Sequence, residues 1–565
     1  FSSEAIKYYM YLKILIFFFL LLYQNVTYSK ANDTNYFNQK YLSNYFSALI
    51  SFDNQKNDDA IKFFNSSKFL IKKHENFLRS YVFALILDGQ VKKAINQIKY
   101  SKEVNFFEAN LLLIIDSLTK KKYKQAQNGI SKLLSYENDD NYKFVILKSL
   151  ESYNYAFLHK KIRKKDENLG RIDLINQAFQ NCYLDSKKTN SHFLNIINFQ
   201  ESDYSRYLFF YLGNVIESED FDTAIKISQT IEPLTSGLLV SQVNKWIENN
   251  DYNKFNDHFS CKNENDLLAE FFFLISNLYS SQDQFKESNF YINISNYLNP
   301  KFYFNLSLLA ENYQLNDNFE LAKRILQIFK EEDEIYYWFK IKKNTQFLKE
   351  KKNEKTALNY FEKKINNLNN PSNKILYDIG NIYKKFKNYK KAIEYYSKVL
   401  SKIDNDSLIY ADILYRRGGA FERMGNYEKS DIDLLKSLEI RPEDPHTLNY
   451  LAYSWLERNH KIDAAIQMLE QAYIGKENDP YITDSVGWGY YLIGDYQRAE
   501  KYLRRAVELM PEDPIVNDHY GDVLWQLNRK MQASYFWKNV LELEDTEEKM
   551  KKDVQNKILN GPNKI

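Results

Sequence analysis

Glycine and proline are scarce in this chain. Its 565 residues include only 15 Gly and 9 Pro, too few for the many tight turns of an all-β fold. Cysteine is scarcer still. Cys182 and Cys261 form no CxxC pair and stand beside no histidine cluster at metal-ligand spacing. The expectation is two unpaired core thiols, with a bridge open to them in an oxidising compartment. Charge of one sign is also lacking: 77 basic residues face 74 acidic ones, for a net of +3. A nucleic-acid binder carries a net basic footprint, so nucleic acid is not an expected partner. The seven histidines are scattered, with no HExxH among them, and no GxSxG, P-loop or dinucleotide glycine pattern occurs. No enzyme activity, metal or cofactor is therefore expected, and a hidden catalytic site would have to lie in 136–265.

What is present points to an extended array. Hydrophobic content of 44% excludes wholesale disorder. The length exceeds what one core usually holds, which leaves several domains or a repeat structure growing in one dimension. Aromatic content reaches 16%, a bias that codon composition explains without any stacking function.

The N-terminus reads as an address. After Met10 come Lys13, an apolar run from Ile14 to Tyr23, and the small-residue stretch Ser29-Lys30-Ala31. A basic start, a short greasy core and small residues at a cleavage site make residues 1–31 a signal peptide. The run falls short of the ~20 apolar residues of a membrane span. An uncleaved anchor or a buried first helix is the alternative. No Cys follows the run, so a lipid anchor on Cys is not offered and membrane association stays open.

A period near 34 residues organises the rest. One unit starts at Pro480, with Gly487 in a first helix, a Gly494-Asp495-Tyr496 turn, then Ala499, Leu503 and Ala506 in a second helix. Shifting by 34 finds Pro514, Gly521, Ala533, Trp537 and Val540. The small residue of each second helix marks the register: Ser288, Ala322, Ala357, Ala392, Ser430, Ala465, Ala499 and Ala533, spaced by 34, 35, 35, 38, 35, 34 and 34. Ala60, Ala94, Ala126 and Ala224 extend it towards the N-terminus, but it cannot be carried through 150–200 and 240–265.

The residue types have physical reasons. Two antiparallel helices cross most closely at the small residues, where a larger side chain would overpack the contact. The Leu or aromatic four residues later is expected to fill the gap to the next unit. Gly in the turn supplies a left-handed residue. One unit cannot bury its apolar face alone, so stacking is obligatory.

With these residues in place the chain resembles the tetratricopeptide repeat family, strongly over 373–545, moderately over 269–372 and weakly over 40–235. The resemblance implies an all-α, right-handed α-solenoid of stacked helix pairs. Degenerate repeats would occupy 36–265, regular ones 269–545, and a capping helix 547–559. The stretch from Asn449-Tyr450-Leu451-Ala452-Tyr453 through Asp484-Ser485-Val486-Gly487-Trp488 to Gly521-Asp522-Val523-Leu524-Trp525 is similar to exported proteobacterial repeat proteins. Among these are adaptors that partner a carboxy-terminal processing protease. The implied function is an exported, periplasmic or envelope-associated scaffold that binds a protein or an extended peptide. The rival reading is a structural part in envelope or polysaccharide-export assembly.

In such folds the first helices line the concave surface. The inward positions are Lys374, Tyr377, Asn381, Lys384 and Lys385 in one unit and Tyr415, Arg416, Gly419, Glu422 and Arg423 in the next. The last three units give Asn449, Tyr453 and Leu456, then Asp484, Trp488 and Tyr491, then Asp518, Asp522 and Trp525. Residues 411–545 hold 16 basic and 24 acidic residues, a net of −8, which leaves +11 for the remainder. Asn449, Tyr453, Asp484, Trp488, Tyr491, Asp518, Asp522 and Trp525 are the candidate partner-binding residues. Rings beside carboxylates suit an extended peptide, although Trp488 and Trp525 could equally pack between units.

Overall fold

Every register residue is where the period puts it. In a computed structural model of the chain, Ala60, Ala94, Ala126, Ala224, Ser288, Ala322, Ala357, Ala392, Ser430, Ala465, Ala499 and Ala533 are all buried. The structure describes residues 39–562 apart from 73–74, 102–103, 137–140, 164–168, 199–204 and 233. The expected signal peptide lies outside the described residues. The described residues form 30 α-helices and two short 3-10 turns, with no strand. None of these helices is long and apolar enough to cross a membrane. The fold is an all-α solenoid of consecutive helix pairs.

The glycine of each first helix exposes the packing rule. A Cβ on Gly380 would lie 2.7 Å from the Tyr396 ring, on Gly487 2.6 Å from Leu503, and on Gly521 2.4 Å from Trp537. These partners are the large residues four positions after the register Ala. They plug the pair to which they belong. Leu469 reaches the next unit as expected, lying 3.3 Å from where a Cβ of Gly489 would stand.

Local sequence starts and stops the helices. Asp444, Asp479 and Asp513 each accept backbone N–H bonds at an N-cap and are followed by Pro445, Pro480 and Pro514 in the first turn. The turns inside the pairs use a left-handed residue, Gly425 at φ 73° and Gly494 at φ 80°.

The chain divides into two compact units, Phe1–Leu113 and Ile114–Ile565. In the first, the pairs Gln39–Asp53 with Asn57–Ser66 and Glu75–Leu87 with Val91–Tyr100 enclose an aromatic cluster. Its Tyr45 and Phe77 rings are 5.1 Å apart, and Phe64 and Phe77 are 5.2 Å apart.

The second unit closes on itself. Tyr123 donates to Glu264 at 2.7 Å across 141 residues, and Lys374 Nζ donates to the Leu234 and Ser236 carbonyls at 2.9 Å across 140 and 138. Tyr183 also donates to Glu264, at 2.5 Å. Leu234 joins the core of Trp338, Phe361, Tyr383 and Tyr396. Arg206 forms a bidentate pair with the buried Glu270 at 2.8 and 2.9 Å, and its guanidinium lies over the Phe273 ring. Cys182 and Cys261 are bridged by a disulfide, which overturns the expectation of unpaired thiols. Both are buried, as expected. These ties span 64 to 141 residues, and residues 150–265 make many of them. Their side chains answer to distant segments as well as to the adjacent repeat, which is why the register is lost there.

Candidate functional site

The row of positions expected to face inward in the last repeats lies on the helices Pro445–Glu457, Pro480–Leu492 and Pro514–Gln526. Trp488 bonded to Glu457 and His519 bonded to Asp484 join the facing sides of these three helices. Tyr453, Trp488 and Trp525 are half-buried on this row, and Asp484, Tyr491 and Asp522 are buried.

At its centre His519 Nδ1 lies 2.9 Å from Asp484 Oδ2, and the imidazole stacks on Trp488 at 4.0 Å with the planes 13° apart. Trp488 also stacks on Tyr491 at 4.8 Å and donates its Nε1–H to Glu457 Oε1 at 3.1 Å. Burial alone would lower the His519 pKa. The Asp484 carboxylate, helped by Asp518 and Asp522, outweighs it and holds the imidazole above its ordinary value. The Tyr453 phenol bonds Glu457, and burial with the Glu457 and Asp484 charges pushes its pKa up. Two acceptors on the row, Asn449 Oδ1 and Asp484 Oδ1, are shielded from water and have no hydrogen-bond partner.

The far end of the row is occupied by the chain itself. The closing helix Glu548–Asn560 places Lys557 Nζ 2.8 Å from Asp518 Oδ2 and 2.8 Å from Asp522 Oδ2. Asp522 Oδ1 accepts from Trp537 Nε1 at 3.2 Å. Burial and the Asp518 charge push the Asp522 pKa up to about 6, against the pull of Lys557. Trp525 packs on Trp537 at 5.5 Å, lies under Lys530, and meets Gly561, where a Cβ would come within 2.6 Å of its indole.

The structure therefore gathers Asp484, Trp488 and Tyr491 into one cluster and Asp518, Asp522 and Trp525 into another, with Asn449 and Tyr453 on the preceding helix. Sequence reasoning missed His519, Glu457 and Lys557. His519 follows the inward Asp518 by one residue and could have been found from that. Lys557 lies beyond the last repeat and offers no periodic signal.

The basic half of the row is mostly spent internally. Lys374 holds the Leu234 and Ser236 carbonyls, and Asn381 accepts from Tyr396 at 2.8 Å. Arg416 pairs with Asp412 at 2.9 Å and Arg423 with Glu422 at 3.6 Å. Lys384 faces Arg416 and Arg423, and burial together with these cations lowers its pKa.

A model described as tetratricopeptide repeat matches residues 374–401, 411–444 and 487–513. A TPR repeat-containing protein of Pseudomonas aeruginosa, PA4667, is 29% identical over 111 residues, which are 20% of this chain and 19% of that protein. Solved structures with a similar chain course include MamA of Desulfovibrio magneticus RS-1, at 20% identity, 31% of this chain, 97% of that one and a TM-score of 0.27. TTC0263, a thermophilic TPR protein of Thermus thermophilus, is 16% identical over 33% of this chain and 100% of that one, at a TM-score of 0.29.

Proposed function

We propose that this chain, which carries tetratricopeptide repeats over 374–401, 411–444 and 487–513, is an exported scaffold that binds a partner protein or an extended peptide along the inner row of its C-terminal repeats. The observation that carries the proposal is the row itself. Tyr453 and Trp488 are half-buried side chains on the first helices of successive repeats, each beside a carboxylate, in a segment of net −8. Rings that offer apolar area next to fixed acceptors are what an extended chain needs from a groove.

Export is supported by the apolar leader sequence and by the Cys182–Cys261 bridge, since disulfides persist in oxidising compartments. The resemblance to adaptors makes a periplasmic carboxy-terminal processing protease the first partner to try. The role is binding rather than catalysis.

The test is capture of partners from the exported fraction by wild type and by Trp488→Ala and Trp525→Ala, each first shown to be folded by circular dichroism. The truncations should weaken capture by ~2 kcal/mol or more, as aromatic hot spots do. If both variants fold normally and bring down every wild-type partner, the site lies elsewhere, and the basic repeats around Lys92, Lys93, Lys120, Lys121 and Lys122 are the next place to look.

A further inference from the structure

The acidic end of the inner row already holds a ligand, and that ligand is the chain's own closing helix. Lys557 Nζ is bonded to both oxygens of Asp518 and to Asp522 Oδ2, all at 2.8 to 2.9 Å. These carboxylates stand at the positions where the preceding repeat presents Asp484 and Trp488.

The helix that delivers Lys557 is thinly anchored. Of its 13 residues only Val554 is buried, against nine in Pro480–Leu492. Leu559 is 80% exposed. Met550 and Ile558 pack only partly against the core. Beyond these, the attachments are the Lys557 ion cluster and the passage of Gly561 across Trp525. A segment with few buried apolar contacts opens at a small fraction of the global unfolding cost.

The row also keeps an unfilled acceptor. Asp484 has a side chain only 7% exposed, gives Oδ2 to His519, and leaves Oδ1 bonded to nothing. A buried carboxylate oxygen without a donor is costly, so the site is incomplete as the chain alone fills it. Three carboxylates here face one ammonium and one imidazole.

We propose that the acidic end of the groove is a docking site for a lysine- or arginine-bearing helical segment of the partner, which exchanges with Lys557 and displaces the closing helix. This rests on the groove reading above and names the partner's chemistry at that end. A cation supplied by a partner makes the same charge-assisted bonds as Lys557. The closing helix then sets affinity: the groove end binds only in the fraction of molecules where the helix is away.

The test uses the whole chain and a fluorescein-labelled amphipathic helical peptide with lysines along one face. Counterparts carry norleucine or glutamate in place of lysine. Two variants free the site by different routes: Lys557→Gln removes the internal cation, and Gly561→Ala sets a Cβ against Trp525 without touching any charge. Each should bind the lysine peptide about tenfold more tightly than wild type, the gain expected when a site closed ~90% of the time is opened. Adding Asp518→Asn to Lys557→Gln should remove the gain. Saturating lysine peptide should raise deuterium uptake of residues 548–560 in the wild-type protein.

Equal affinity of wild type and both variants overturns the proposal, as does equal binding of the lysine and norleucine peptides. If Lys557→Gln unfolds the last repeat, uptake in the wild type decides alone, and a closing helix that stays protected with peptide bound makes it a cap and nothing more. Failure here with the natural partner still contacting Tyr453 leaves the groove reading standing. Loss of that contact would sink the groove reading itself.

Discussion

His519 and Asp484 join the first helices of two successive repeats through a 2.9 Å contact between Nδ1 and Oδ2, under the indole of Trp488. The pair sits within a charged cluster that also holds Asp518, Asp522 and Lys557, with Glu457 reaching the other side of Trp488. The cluster makes the stability of this end depend on pH. His519 is raised above 6.5 in the folded chain, so its contribution is present below the unfolded value and lost as pH rises through the folded one. Asp522, raised to about 6 by burial and Asp518, favours its protonated folded form and acts in the same direction. The C-terminal repeats should therefore lose stability as pH rises through about 6 and above. An NMR titration should place the His519 midpoint above its ordinary value, and Asp484→Asn should lower it. A midpoint unmoved by Asp484→Asn would show that the carboxylate does not hold the proton.

Gly487→Leu and Gly521→Ala test the packing rule. Each adds atoms within 2.6 Å of Leu503 or Trp537. Overpacking of this kind costs ~1–3 kcal/mol. Because repeats couple mainly to their neighbours, hydrogen exchange should quicken around 480–542 while the helices of 39–100 keep their protection. Loss of helical signal throughout the chain would contradict a repeat architecture.

Arg206 and Glu270 form one of the buried ion pairs of the second unit. Arg206→Ala strands the Glu270 carboxylate, which is 1% exposed, and should destabilise the unit by ~3–5 kcal/mol in chemical denaturation. Replacing both partners together, Arg206→Met with Glu270→Leu, should cost far less. Equal costs for the single and double replacements would mean that the pair matters for its shape and not for its charge.

The Cys182–Cys261 bridge closes a loop 79 residues long. Its loss in a Cys182→Ser, Cys261→Ser variant should cost about 4 kcal/mol on chain-entropy grounds. Mass spectrometry of protein taken from its native compartment should find both thiols oxidised. Free thiols there would count against export.

The sequence carried the fold well where one repeat packs only on the next. Ala392, Ser430, Ala465, Ala499 and Ala533 announce the register because any larger residue would collide at the helix crossing, and all are buried. It carried less where segments far apart meet. Nothing near Glu264 foretells that Tyr123 and Tyr183 both donate to it, and nothing near Cys182 selects Cys261 over a free thiol. The site was legible in outline. Asp484, Trp488, Asp518 and Asp522 follow from the 34-residue period, whereas Lys557 comes from a helix outside that period. A ring facing inward on a solenoid helix can cover a partner or a neighbouring repeat, and spacing alone does not separate the two.

A partner carried on the inner row of the C-terminal repeats would lie against Tyr453 and away from the outer helices. The direct measurement is photo-cross-linking in the exported fraction from a benzoylphenylalanine placed at Tyr453, on the inner row, or at Tyr535, which is 68% exposed on the second helix of the last pair. A partner adduct is expected from position 453 and none from position 535. An adduct from 535 with none from 453 would place the partner on the outer face and contradict binding along the inner row.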